Sequence, residues 1–254
     1  MADVLERREE GDVVHLTLNR PERLNALSSE LVRRLGEELS CIGDATRAVV
    51  LRGNGRAFSA GHDLKDAAEQ GDRSEADLRD SVERMQDVTR ALRACPAPVI
   101  GVIHGYAVGA GCEIALCCDL VVASDEAQFG FPETGVALIV TNGVTATLPR
   151  TVGQARAKEL ILLGEFITAQ QAHGLGLVNR VVTADELEAT VDEWIARLRT
   201  RGALAVTLSK RLIDNGMASD IATILDAEST ASVEAEKSAD AANAVRAFAD
   251  RAAQ

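Results

Sequence analysis

Two glutamates stand in apolar surroundings near the middle of the chain. Glu113 runs into Ile114-Ala115-Leu116, and Glu133 follows Phe129, Phe131 and Pro132. Burial disfavours a charged carboxylate and raises its pKa towards neutrality. A pair of such groups suits acid and base work on one water. The plainer reading is a solvated glutamate near a helix end. Glu113 also lies just past a glycine turn, Gly109-Ala110-Gly111. Backbone N–H groups at a helix start lack an intrahelical acceptor, and small residues let a ligand oxygen approach them. A dinucleotide fingerprint would need a third glycine where Ile114 stands, and no G-K-[ST] is present for a phosphate loop. A second loop of small residues, Phe58-Ser59-Ala60-Gly61-His62-Asp63-Leu64, offers another inward N–H. Two N–H groups facing each other make an oxyanion hole. The His62 ring reads either as a general base or as a surface histidine.

These groups need elements to hold them. Residues 13–18 alternate like a strand and stop at Asn19-Arg20-Pro21. Ser28-Ser29 opens a helical pattern through Leu31, Leu35 and Leu39. Ala48-Val49-Val50-Leu51 and Val99-Ile100-Gly101-Val102-Ile103 are apolar enough for buried strands. Between them, Leu78, Val82, Met85, Val88 and Leu92 share one helical face, which Pro96 and Pro98 terminate. Residues 105–116 read as strand, glycine turn and helix start. Leu120-Val121-Val122-Ala123 and Gln128-Phe129-Gly130 are further short strands. From Gly143 onward the pattern is helical, with only residues 177–182 strand-like. The first two-thirds are thus β/α units and the last third is helical, with no linker and no internal repeat in the sequence.

Several stretches, in collinear order, resemble the enoyl-CoA hydratase/isomerase (crotonase) family. They are residues 18–27, 57–65, 105–113, 129–133, 164–172 and 176–179, followed by Val245-Arg246-Ala247-Phe248. The resemblance implies an α/β fold of crotonase-like (ClpP/crotonase) type, a spiral of repeated β-β-α units with a C-terminal helical extension. Residues 1–190 would form the spiral core with its CoA thioester site. Residues 191–254 would form a helical segment involved in assembly, as a homotrimer or a homohexamer. The thioester carbonyl would sit between the backbone N–H groups of His62 and Ala110. Glu113 would hold and activate a water for attack at C3 of a trans-2-enoyl-CoA, and Glu133 would deliver a proton to C2. No metal and no cofactor is expected, the acyl-CoA being the substrate. Contacts to substrate or CoA are expected from Arg23, Leu24, Ala26, Ala60, Asp63, Leu64, Lys65, Tyr106, Gly109, Gly111 and Pro132. Phe248 would cap the adenine side of an adjacent subunit's site or pack between helices.

The family hosts several chemistries. A second reading is Δ3/Δ2 isomerisation, or another acyl-CoA hydratase or lyase reaction. A third is a CoA-binding scaffold without turnover. One stretch departs from the family. Val140-Thr141-Asn142 stands where hydratases carry Pro-Gly-small. By resemblance this stretch borders the acyl pocket, which points to a substrate other than a short enoyl chain, or to a different reaction.

Composition narrows the alternatives. The chain has 254 residues, with 27 basic and 39 acidic side chains and a net charge of −12. That argues against nucleic acid and anionic membranes as partners. Aromatic residues are 3%, too few for a base-stacking platform. The five cysteines lack a framework spacing and read as reduced, buried thiols. No signal-peptide core and no spanning segment is visible, so the expected location is cytoplasmic. A polyanionic ligand on an acidic protein requires a few basic residues at the mouth of the site.

Overall fold

The chain starts with a hairpin, Leu5–Glu10 (β1) antiparallel to Val13–Leu18 (β2), turning at Gly11 with φ 63°. The structure is a computed structural model that describes residues 3–69 and 71–252, with the backbone alone at 67, 69 and 247–252. The sequence pattern does not reveal β1. Only its Leu5 is buried, so it lacks an apolar alternation, and it forms as the edge partner of β2. Ser29–Ser40 (α1) follows, its first turn capped by Ser28 Oγ, which accepts the Leu31 N–H at 3.3 Å. Ala48–Gly53 (β3) is nearly all buried, as a parallel strand covered on both faces should be.

Leu64–Glu69 (α2) and Glu75–Ala94 (α3) lead to Val99–Ile103 (β4). Next come Tyr106–Val108 (β5), Ala110–Leu116 (α4), Leu120–Ser124 (β6) and Gln128–Gly130 (β7). Val144–Val152 (α5), Gln154–Leu163 (α6), Ile167–Thr168 (β8), Ala169–Gly174 (α7) and Arg180–Val182 (β9) complete the sheets. Leu187–Arg199 (α8), Ala203–Gly216 (α9), Ile221–Glu236 (α10) and Ala239–Ala252 (α11) end the chain.

The first sheet has the order β1-β2-β3-β4-β6-β9, parallel from β2 onward. The second has the order β5-β7-β8 and is extended by single bridges Ser59–Ala107 and Leu27–His62. Each pass of the chain adds a strand to the first sheet, then a short strand or bridge to the second, then a helix. This winding is the expected spiral of β-β-α units. β8 is a correction: residues 167 and 168 lie in a stretch whose pattern reads as helical, but they pair with β7.

Side chains alternate across the first sheet. Leu16, Leu18, Val49, Leu51, Val99 and Ile103 join α1 and α3 in one core. Val13, Val50, Ile100, Val102 and Val122 face the other way, onto Leu187, Val191, Trp194 and Ile195 of α8. A domain boundary after residue 190 therefore falls inside α8, a helix that belongs to the core. The extension begins only at α9. That helix is tied down by Lys210, whose Nζ lies 2.7 Å from Asp119 Oδ2 and donates to the Leu92 carbonyl at 2.8 Å.

Candidate active site

The site lies where two passes of the spiral touch. In the bridge between Leu27 and His62, Leu27 N–H donates to the Gly61 carbonyl and Asp63 N–H to the Leu27 carbonyl. The His62 N–H is thereby turned to the opposite side. Gly61, at φ 83°, packs so closely that a Cβ would press on the Val108 carbonyl oxygen and lie 3.2 Å from Ala110 N. Only glycine takes this backbone at this spacing. On the facing pass, Gly109 enters α4 at φ 54° with no side-chain cap. The Ala110 N–H is left at the helix start without an intrahelical acceptor. Among the described residues no acceptor takes the His62 N–H or the Ala110 N–H. The two loops thus present two unpaired donors side by side, as an oxyanion hole requires.

The loop after β2 holds this arrangement from behind. Asn25 is fully buried, accepts the Arg20 N–H at 2.8 Å, and donates to the Asn54 and Ala57 carbonyls at 2.8 Å each. Arg20 Nη1 reaches Asp63 Oδ2 at 2.8 Å. Asp63 Oδ1 accepts the Lys65 and Asp66 N–H groups at 3.2 and 3.1 Å. Ser59 Oγ donates to the Asn25 carbonyl at 2.8 Å.

Beside the two donors opens a cavity of about 330 Å3. Glu113 and Glu133 both line it, with Ala60, His62, Leu64, Gly109, Ala110 and Pro132. Glu113, on α4, is 1% exposed. Its Oε1 accepts the Thr141 N–H at 2.6 Å. Its Oε2 accepts the Thr141 hydroxyl at 3.1 Å and Asn142 Nδ2 at 2.7 Å. Burial raises the Glu113 pKa, while these donors act in the opposite direction. Glu133 follows Pro132 in a short 3-10 turn, and its Oε1 would stand 3.0 Å from a Cβ on Gly109. Its Oε2 is buried with no partner among the described residues. Burial, reinforced by the charge of Glu113, lifts its pKa to about 7. At neutral pH Glu133 can therefore hold a proton, while the Thr141 and Asn142 donors favour the carboxylate form of Glu113 against its burial. Burial and then the Arg73 charge push the His62 imidazole below its usual value, which favours the neutral ring.

Eight of the expected catalytic, oxyanion and contact residues meet at this cavity. Others do not reach it. Asp63 is buried in the ion pair with Arg20 and caps the start of α2, so its role is to position the loop. Tyr106 turns its ring to Phe166, edge-on at a centroid distance of 6.4 Å. Gly111 lacks a Cβ because Ser59 occupies that space. Leu24 takes the Ala60 N–H on its carbonyl, and Ala26 is buried. Arg23 and Lys65 are exposed outside the cavity lining. Phe248 lies on α11, but its side chain is outside the described residues.

Sequence reasoning missed Arg73, Ser81 and Val108, which also line the cavity, whereas Val136, Leu138, Ile139 and Thr141 belong to the stretch after Glu133 that contains the departure from the family. The signal was partly present. The stripe on α3 read as core splits in two: Val88 and Leu92 are buried, whereas Leu78 and Val82 face the cavity half-exposed. Among the described residues no three His, Cys, Asp or Glu side chains group to hold a metal ion, and no helix is long and apolar enough to cross a membrane.

Comparison with known proteins agrees with this geometry. Residues 8–254 match the sequence family described as enoyl-CoA hydratase/isomerase. The chain belongs to that family. It is 37% identical to the short-chain-enoyl-CoA hydratase of Clostridium acetobutylicum, over 96% of this chain and 93% of the relative. It is 38% identical to the 1,2-epoxyphenylacetyl-CoA isomerase of Escherichia coli, over 98% and 95%. The crystal structure of an enoyl-CoA hydratase from Mycobacterium smegmatis superposes with a TM-score of 0.92 at 36% identity, covering 98% of this chain and 97% of that one. Family members thus carry out both hydration and isomerisation, and the reaction has to be argued from the site.

Proposed function

We propose that the protein is an enoyl-CoA hydratase, adding water across the C2=C3 bond of a trans-2-enoyl-CoA. The observation that carries this reading is the pair Glu113 and Glu133 on one cavity beside the two unpaired N–H groups. The thioester oxygen accepts hydrogen bonds from His62 N–H and Ala110 N–H. Glu113 takes a proton from water as its oxygen bonds to C3. Electron density moves from the C2=C3 bond onto the thioester oxygen, where the two N–H groups stabilise it. Glu133 delivers its proton to C2, giving a 3-hydroxyacyl-CoA. Glu113 then holds the proton that Glu133 lost, and exchange with solvent resets the pair. The chemistry uses side chains and backbone alone. The apolar side chains of Leu64, Leu78, Val82, Met85, Val136 and Ile139 make the cavity suited to a hydrocarbon acyl group.

The test is a panel of acyl-CoA thioesters with product identification. Glu113→Gln and Glu133→Gln should each lower kcat by about 100-fold or more, the usual weight of a positioned acid or base. Full hydratase activity in either variant overturns the assignment. One observation favours a second reading. Glu113 is largely occupied by Thr141 and Asn142, while Glu133 Oε2 is free, as a single base shuttling a proton between C2 and C4 would need. An isomerase would lose activity in Glu133→Gln and keep it in Glu113→Gln, with no water added. Binding of CoA without turnover on the whole panel would leave the scaffold reading.

We also propose, on the family resemblance, that the protein assembles as a homotrimer or homohexamer. Exposed Leu162, Leu163, Ile213, Ile221 and Leu225 on α6, α9 and α10 support it. Sedimentation that finds a monomer at micromolar concentration overturns it.

A further inference from the structure

We propose that Thr141 and Asn142 are positioning residues that lock Glu113 in place and leave one acceptor direction, on Oε1, as the seat of the reactive water. The inference rests on the hydratase reading and concerns the one stretch that departs from the family pattern. A carboxylate has about four acceptor directions, two on each oxygen. Oε2 accepts two donors, the Thr141 hydroxyl at 3.1 Å and Asn142 Nδ2 at 2.7 Å. Oε1 accepts one, the Thr141 N–H at 2.6 Å. The direction that remains is therefore on Oε1.

The orientation of the Asn142 amide is fixed by chemistry. Turned over, it would set its oxygen against Glu113 Oε2 and lose the bond. As placed, Asn142 Oδ1 is buried without a partner among the described residues, so the amide gives up one bond to make the other. Its backbone sits at φ 46°, a left-handed conformation that asparagine tolerates better than most residues. Glu113 and Asn142 are 1% and 2% exposed, which leaves little bulk water to substitute for a missing donor.

A donor array of this kind suits the carboxylate and disfavours the acid. A proton placed on Oε2 would have to displace the Thr141 or Asn142 hydrogen. The clamp thus does two things for hydration. It opposes the tendency of burial to protonate the base, and it aims the open lone pair. Pro-Gly-small in the same stretch would supply the backbone N–H but neither side-chain donor. The two side chains are therefore this chain's own contribution to the site.

The experiment is steady-state kinetics across pH for Thr141→Val, Thr141→Ser and Asn142→Ala, using the acyl-CoA that the wild type hydrates. Thr141→Val and Asn142→Ala should each lower kcat by about tenfold with KM within about twofold. Each should also move the acid limb of kcat/KM upward by about one pH unit, because a charge-assisted bond to the base is lost. Thr141→Ser keeps both donors and should restore the wild-type profile. Wild-type kcat and an unmoved acid limb in Thr141→Val overturn the proposal, whether or not Asn142→Ala folds. A 13C NMR titration of carboxyl-labelled glutamate, with the Glu113 resonance assigned by its loss in Glu113→Gln, separates the two ideas. Without turnover in the wild type the hydratase reading falls, and the titration still decides the clamp. A higher Glu113 midpoint in Thr141→Val supports it, and an unchanged midpoint overturns it.

Discussion

Glu133 carries two consequences of one environment. Its Oε2 is buried without a partner among the described residues, and burial lifts its pKa from 4.5 to about 7. In the proposed hydration Glu133 is the proton donor and must be protonated, so kcat/KM should fall as pH rises through about 7. A pH–rate profile checks this, and an alkaline limb at the same pH in Glu133→Gln would assign the titration elsewhere. The same shift acts on stability. Unfolded, the carboxyl returns to about 4.5; folded, it keeps its proton up to about 7. Between those values the native state binds more protons than the unfolded one, so the contribution is full below 4.5 and lost as pH climbs through 7. Glu133→Gln should therefore melt higher than the wild type at about pH 8, with the gap closing at about pH 4. Thermal unfolding at the two pH values measures it. Equal melting temperatures at the higher pH would mean that the carboxylate is well solvated.

At the scale of elements, the proposed oxyanion hole depends on the loop after β2 as much as on its own residues. Asn25→Ala removes three hydrogen bonds, one buried and two part-buried, that tie Arg20, Asn54 and Ala57 together. It should cost about 3 kcal/mol in urea unfolding and lower activity, because residues 57–62 lose their backing. Stability unchanged within error would show that water replaces the amide. The legibility of these elements in the sequence tracks their packing. β2 and α1 are readable because each buries one face and so alternates with its own period. β1 is not, since a single buried leucine carries no pattern. β8 is not, since two residues are set by their pairing with β7. The two glutamates and the glycine turn are visible as local sequence. The bonds from Thr141 and Asn142 to Glu113 are not, because they join residues far apart in the chain. α3 shows the limit most clearly. Its stripe is continuous in sequence, yet one half meets the core and the other half meets the cavity.

Across the whole molecule, the sheet separates two tasks. One face packs α1, α3 and α4, of which α3 and α4 line the cavity. The other receives α8, while α9 is tied to the end of α3 by Lys210, which pairs with the half-buried Asp119 and donates to the Leu92 carbonyl. Lys210→Met strands the Asp119 carboxylate and should destabilise the fold by about 3 kcal/mol in denaturant unfolding. Activity per folded molecule should persist, since the pair does not line the cavity. A loss of activity without a loss of stability would tie α9 to the site. The charge of −12 also belongs to this scale, for the site itself is formed by two carboxylates and backbone amides. Trp194 gives the division between the faces an optical expression. It is the chain's single tryptophan, seated against the sheet on the α8 side with the Arg180 guanidinium 5.5 Å from its ring centroid. Its fluorescence therefore reports the seating of α8, and a ligand entering the cavity on the opposite face leaves that emission unchanged.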